Sequence, residues 1–168
     1  LCADLCAELA ARGIAVTVWT QKPPLRQQQD YPFSVRYFAT GRRAQFQTST
    51  RTIFLYTLKV LLASGSIRRE RPDIIVSNAA IPAGIAGGII ARAHNIPHVI
   101  WHHGTDVHGN HTKGAGAFFR ALLSFAWKRS DLNLFVSRGL RDMACGFGAV
   151  RDRTAVLYPF SSITLPAM

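Results

Sequence analysis

Cysteine is nearly absent from this chain: Cys2, Cys6 and Cys145 are the only three. An odd count without paired spacing excludes a disulfide framework. Cys2 and Cys6 stand four apart on an apparent helix, with no second pair to complete a zinc site, so they read as small buried hydrophobes. Charge is sparse too, at 17% against 48% apolar residues, which excludes a disordered chain. Acidic residues are the minority of the charged set. Nine Asp and Glu face 20 Lys and Arg, 16 of them Arg, for a net charge of +11. Such a field favours anionic partners, whether nucleic acid, acidic lipid or phosphorylated small molecules, without choosing between them.

Long apolar runs are also missing. The 18 residues from Ile74 to Ala91 carry no charge, but Ser77, Asn78, Pro82 and three glycines interrupt them. They read as a strand, a break and a helix, not as a membrane span. There are no repeats, no low-complexity tract, no H-E-x-x-H metal motif and no defensible Ser-His-Asp set. "PAGIAGG" is not a dinucleotide fingerprint, because its glycines fall inside a helix. RNP, KH and helix-turn-helix patterns are absent, so no nucleic-acid partner is expected, although basic-plus-aromatic composition keeps a nucleotide- or nucleic-acid-binding module as the alternative from another class.

What is there is an alternation of elements. "LCADLCAELAARG" (1–13) is a helix pattern with Leu1, Leu5 and Leu9 on one face and Gly13 as its stop. Strands are predicted at "IAVTVW" (14–19), "FSVRYF" (33–38), "PDIIVS" (72–77), "PHVIW" (97–101), "LNLFVS" (132–137) and "TAVLYP" (154–159). Helices are predicted from about residue 52 to Arg69, and at 82–95 opened by Pro82. Two more follow, at 116–130 and after Ser137, which is placed as a cap. Small residues in the 82–95 helix would let it pack closely on a sheet. The strand cores are continuous apolar runs, which implies burial on both faces and a Rossmann-like, doubly wound parallel α/β sheet. At 168 residues the chain can form one domain with a real core. Its first helix has no strand before it and no initiator Met, so the protein is expected to start upstream.

In such sheets ligands bind outside the carboxyl ends of the strands. "WHHGTDVH" (101–108) lies at one such end and packs three histidines, a glycine and an aspartate into eight residues. Asn78 and Ala79 follow another strand, and Ser137 a third. Strand parity puts His102 and His103 on opposite sides, with His102 packed. His102, His103, Asp106, His108 and His111 match no metal spacing, and no metal is expected.

The order of segments resembles the N-terminal domain of GT-B glycosyltransferases of family 4, the glycogen-synthase and phosphatidylinositol-mannosyltransferase-like group. "LCAELAARGIAVTVWT" is similar to the family's first helix and second strand. "RPDIIVSNAAIPAGIAGGIIARAHNIPHVIWHHGTD" resembles its central block ending in H-G-x-D. "SDLNLFVSRGLRDMACGFG" and "VLYPFSSI" resemble its later a-D-x-v-i-a-v-S segment and last strand. The likeness covers nearly the whole chain. Ala15 stands where the family usually has His, and Phe160 and Ser161 stand where Asn-Gly is common. The glycine-rich loop after the first strand and the second domain with its paired-Glu motif are missing.

The resemblance implies residues 1–160 as a glycosyltransferase N-terminal domain lacking its first strand, one GT-B half truncated at both ends, with 161–168 starting an interdomain linker. It implies retaining sugar transfer from a nucleotide-sugar to a lipid-linked or saccharide acceptor, with this chain as the acceptor half and a C-terminal donor-binding domain of the same protein as partner. A related GT-B enzyme such as a sugar epimerase is the alternative. No cofactor is implied beyond the donor as substrate. His103 takes the place of the family's cleft histidine, the catalytic candidate, since an imidazole can donate or accept near neutral pH. Gly104 would let a ligand approach. Asp106 would bind acceptor hydroxyls or hold the loop through backbone amides. Asn78 and Ser137 are cleft candidates, Ser137 being a helix cap first.

The segment 36–71 is rich in arginine and aromatics. It reads either as a solvated face or as a contact with anionic lipid, with Arg42, Arg43 and Arg51 as the candidates. The expected location is cytoplasmic, with peripheral contact at the cytoplasmic membrane face.

Overall fold

A computed structural model describes residues 2–22, 30–38, 50–104, 107 and 116–158, with side chains of the helix beginning at Thr50 described from Phe54. The chain divides into two compact units, one up to Thr52 and the other Ile53–Tyr158.

In the first unit, α1 (Cys2–Ala11) precedes β1 (Thr17–Gln21) and β2 (Ser34–Phe38). Hydrogen bonds from Gly13 N to Ala10 O and from Ile14 N to Leu9 O close α1 at the stop the sequence predicts. Cys2 and Cys6 are half-buried, as is Cys145 in the second unit, so none of the three is the fully buried hydrophobe expected. Burial raises the thiol pKa of both Cys2 and Cys6. β1 begins three residues later than its β-branched run suggests, because its parallel ladder to β2 starts at Thr17, opposite Ser34. Arg36 lies over the Trp19 ring at 5.1 Å, a cross-strand cation–π contact.

The second unit holds a four-stranded parallel sheet of β3 (Ile75–Asn78), β4 (His98–His102), β5 (Leu132–Phe135) and β6 (Thr154–Val156), in that spatial order. Before it run α2 (Thr50–Leu62), a 3-10 turn at Ala63–Ser66 and α3 (Ile67–Glu70). Between the strands run α4 (Ile85–His94), α5 (Gly116–Arg129) and α6 (Arg138–Gly146). This is a mixed α/β, Rossmann-like architecture. Right-handed crossovers between successive neighbours put these three helices on one face. The core agrees: Ile85, Leu123, Ala126, Trp127, Leu140 and Ala144 cluster with Ile100 and Phe135.

That face is sealed. His98, Ile100, His102, Asn133 and Phe135 are all fully buried. α4 lies so close that a Cβ on Gly87 would overlap Ser77 Oγ and meet His98 Nε2 at 2.8 Å. The opposite face differs from the expectation of burial on both sides. Trp101 is buried there and Leu132 and Leu134 half-buried, but Val76 on the edge strand β3 is 53% exposed. Regular helix begins at Ile85, not at Pro82. Ile81 (φ −128°, ψ 126°) is extended, as a residue before proline tends to be, and Ala80–Gly84 form an irregular turn. Ile74–Ala91 thus become β3, this turn and α4. Among the described residues no helix is long and apolar enough to cross a membrane.

Candidate functional site

The register of β3 on β4 builds the site. Asn78, the last residue of β3, pairs with Trp101, and His103 follows two residues further along on the same side. His103 Nε2 and Asn78 Oδ1 are 3.3 Å apart, although 25 residues separate them in sequence. The His103 ring packs on Trp101, with centroids 4.7 Å apart and planes tilted by 46°. Trp101 is buried beneath it, while Asn78 is exposed and His103 half-buried. A wet, polar pair therefore rests on a buried aromatic floor.

Ala79 and Gly104 turn the chain away from these two strand ends. Gly104 has φ +116°, a conformation that a side chain strains, and its carbonyl accepts from Val107 N. Ala79 has φ 76° and ψ 152°, a region populated almost only by glycine. It is held there by bonds from Ala79 N to Trp101 O (2.9 Å) and from Gly84 N to Ala79 O (3.1 Å). Ser137 lies at the same end of the sheet, two residues past Phe135. Its hydroxyl accepts from Leu140 N at 3.2 Å, capping α6 as the sequence predicts.

His102 points the other way. It is fully buried, stacked on Phe135 (4.6 Å, 12°), with Trp127 edge-on and Nε2 3.3 Å from Asn133 Oδ1. His98 is buried on the same face. Its Nε2 lies 2.9 Å from Ser77 Oγ, which also reaches Ala83 O at 3.2 Å. With the serine hydroxyl donating to that carbonyl, Nε2–H donates to Ser77 Oγ. Burial favours the neutral ring and pushes the His98 pKa down to about 4, against the opposing pull of Asp131.

The structure thus brings together Asn78, His103 and Gly104, with Ser137 at the same sheet end. Asp106, His108 and His111 lie outside the described residues, as do Arg42, Arg43 and the side chain of Arg51. Among the described residues no three His, Cys, Asp or Glu side chains cluster to hold a metal. Sequence reading missed the Asn78–His103 bond and the Trp101 floor. The floor had a signal: Trp101 and His103 are two apart, so one strand parity serves both.

The profile described as Glycosyltransferase Family 4 matches residues 1–162. No curated protein matches the sequence significantly. Solved structures do. A candidate UDP-N-acetylglucosamine 2-epimerase from Listeria monocytogenes is similar at TM-score 0.61 and 14% identity, over 90% of this chain and 40% of that one. Anabaena HepE in complex with UDP is similar at TM-score 0.52 and 15% identity, over 86% and 44%. S. aureus MnaA with UDP is similar at TM-score 0.50 and 15% identity, over 83% and 43%. At such identities the likeness concerns the fold, and the chain spans less than half the length of each of these structures.

Proposed function

The chain belongs to glycosyltransferase family 4, and from that membership we propose that it forms the acceptor-binding half of a retaining GT-B glycosyltransferase. The family match over residues 1–162 carries this reading. Transfer runs from a nucleotide-sugar to a saccharide or lipid-linked acceptor. The donor enters as substrate, and no resident cofactor is needed. His103 acts at the reacting sugar through its hydrogen bonds, and Gly104 gives the ligand room. Asp106 and Ser137 stand as acceptor contacts. A C-terminal domain of the same protein binds most of the nucleotide.

The test is turnover. Full-length protein is incubated with UDP-glucose and UDP-N-acetylglucosamine and an acceptor panel. Release of UDP with a glycosylated product of retained anomeric configuration supports the proposal. Conversion of UDP-N-acetylglucosamine to its 2-epimer without transfer replaces it with the epimerase reading, which the name of the Listeria neighbour favours. The 168-residue chain alone is expected to turn over neither donor.

The acceptor side works at an anionic membrane surface in this proposal. On α2, Phe54, Leu58 and Leu62 are exposed at successive i, i+4 positions, while Tyr56 and Val60 on the opposite stripe are buried. Lys59, Arg68, Arg69 and Arg71 are exposed along the same stretch. Apolar insertion beside cations fits an interfacial helix. Anionic vesicles should retain the full-length protein more than neutral ones, and replacing Arg42, Arg43 and Arg51 with Gln should remove most of the difference. Equal retention by both kinds of vesicle at low salt returns segment 36–71 to a solvated face.

A further inference from the structure

We propose that Asn78 is the positioning residue for His103: its amide oxygen accepts from His103 Nε2–H and holds the imidazole in one tautomer, with the lone pair on Nδ1. The role deepens the reading of His103 above and rests on it for its consequence, though not for its geometry.

Three observations carry it. The first is the 3.3 Å separation of Nε2 and Oδ1, made possible only by the β3–β4 register. An imidazole in neutral water exchanges between two tautomers. An acceptor fixed on one nitrogen selects the form with its proton there. The second is the floor. The Trp101 ring at 4.7 Å restricts the plane of His103, and the bond to Asn78 acts on the rotation left to it. The third is the backbone next to Asn78. Ala79 sits in a region that costs about 1–3 kcal/mol for a non-glycine residue, and both its N–H and its carbonyl are bonded. This turn keeps Asn78 on the ladder to its last residue while the chain leaves toward α4. Asn78 itself is exposed, so burial does not force its amide to find a partner; its oxygen nonetheless lies 3.3 Å from His103 Nε2.

Full-length protein labelled with ¹⁵N-histidine tests this at about pH 8, above the ordinary imidazole range. Long-range ¹H–¹⁵N spectra should show His103 as the Nε2–H tautomer in wild type, a mixture in Asn78→Ala, and Nε2–H again in Asn78→Asp, whose carboxylate accepts the same bond. With a donor that turns over, Asn78→Ala should lower kcat about tenfold with little change in KM, the scale of a small misplacement of a reacting group. Asn78→Asp should recover most of it. An unchanged tautomer in Asn78→Ala overturns the proposal, as does a wild-type His103 protonated on Nδ1. If no donor turns over at all, the function proposed above fails, while the tautomer result still decides the role of Asn78.

Discussion

The two faces of the four-stranded sheet use the same kinds of residue to opposite ends. On the helix-covered face, His98, His102, Ser77 and Asn133 are buried polar groups bonded to one another in pairs or stacked on aromatic rings. On the open face, Asn78 and His103 are hydrogen-bonded to each other and remain accessible. His102 and His103 are neighbours in sequence, yet the pleat assigns one to the core and the other to the strand end. A histidine's role here follows from which side of the sheet it points to. The contrast is testable, because core histidines should govern stability and the strand-end histidine should govern chemistry.

The largest effect belongs to His98. Its pKa is about 4 in the fold and near 6.5 in an unfolded chain. Above pH 6.5 the ring is neutral in both states and its full contribution is present. Between 6.5 and 4 the unfolded state takes up the proton and the folded state does not, so stability falls as pH falls. The total approaches about 3 kcal/mol, at about 1.4 kcal/mol per pH unit over that gap. Urea unfolding at a series of pH values measures it. His98→Asn should flatten the slope between pH 4 and 6.5 even if it lowers stability at every pH. An unchanged slope would mean that His98 is not held neutral by the core and would erase the contrast between the faces.

Next comes the pair of adjacent histidines. In the full-length enzyme His103→Ala should lower kcat/KM by about 10²-fold or more, the scale for a positioned polar catalytic group, with little change in melting temperature. His102→Ala removes a ring stacked on Phe135 and should destabilise by roughly 2 kcal/mol or more as a core truncation. Its kcat/KM, measured on folded protein, should stay near wild type. Reversed effects would show that the strand parity is shifted by one residue.

Much of this arrangement is legible in sequence where local chemistry dictates it. The helix stop at Gly13, the cap at Ser137, the close packing of α4 and the opposite facing of His102 and His103 all follow from residue type and spacing. Other features are decided by partners distant in the chain. β1 starts where its ladder to β2 starts, not where its β-branched run does. Val76 is exposed, which its apolar run cannot reveal. The Asn78–His103 bond is a product of the β3–β4 register. Ala79 carries no preference for positive φ, so only the bonds around it reveal that conformation.

The smallest expected effect concerns Ser137, which sequence assigns both to the helix cap and to the cleft. Its hydroxyl accepts from Leu140 N, and that bond satisfies one of the orphan donors of α6. Ser137→Ala should therefore cost about 1 kcal/mol, the usual loss for an N-cap serine, and Ser137→Asp should retain most of that stability because a carboxylate caps equally well. The two variants separate the roles. If Ser137 serves the helix alone, both enzymes should keep wild-type KM for the acceptor once folded, in spite of the charge introduced by Asp. If the hydroxyl also meets an acceptor, Ser137→Asp should raise that KM while leaving the melting temperature nearly unchanged. Acceptor titrations beside thermal melts distinguish the outcomes. A raised KM would extend the site at the strand ends from β3 and β4 to β5, making it three strands wide.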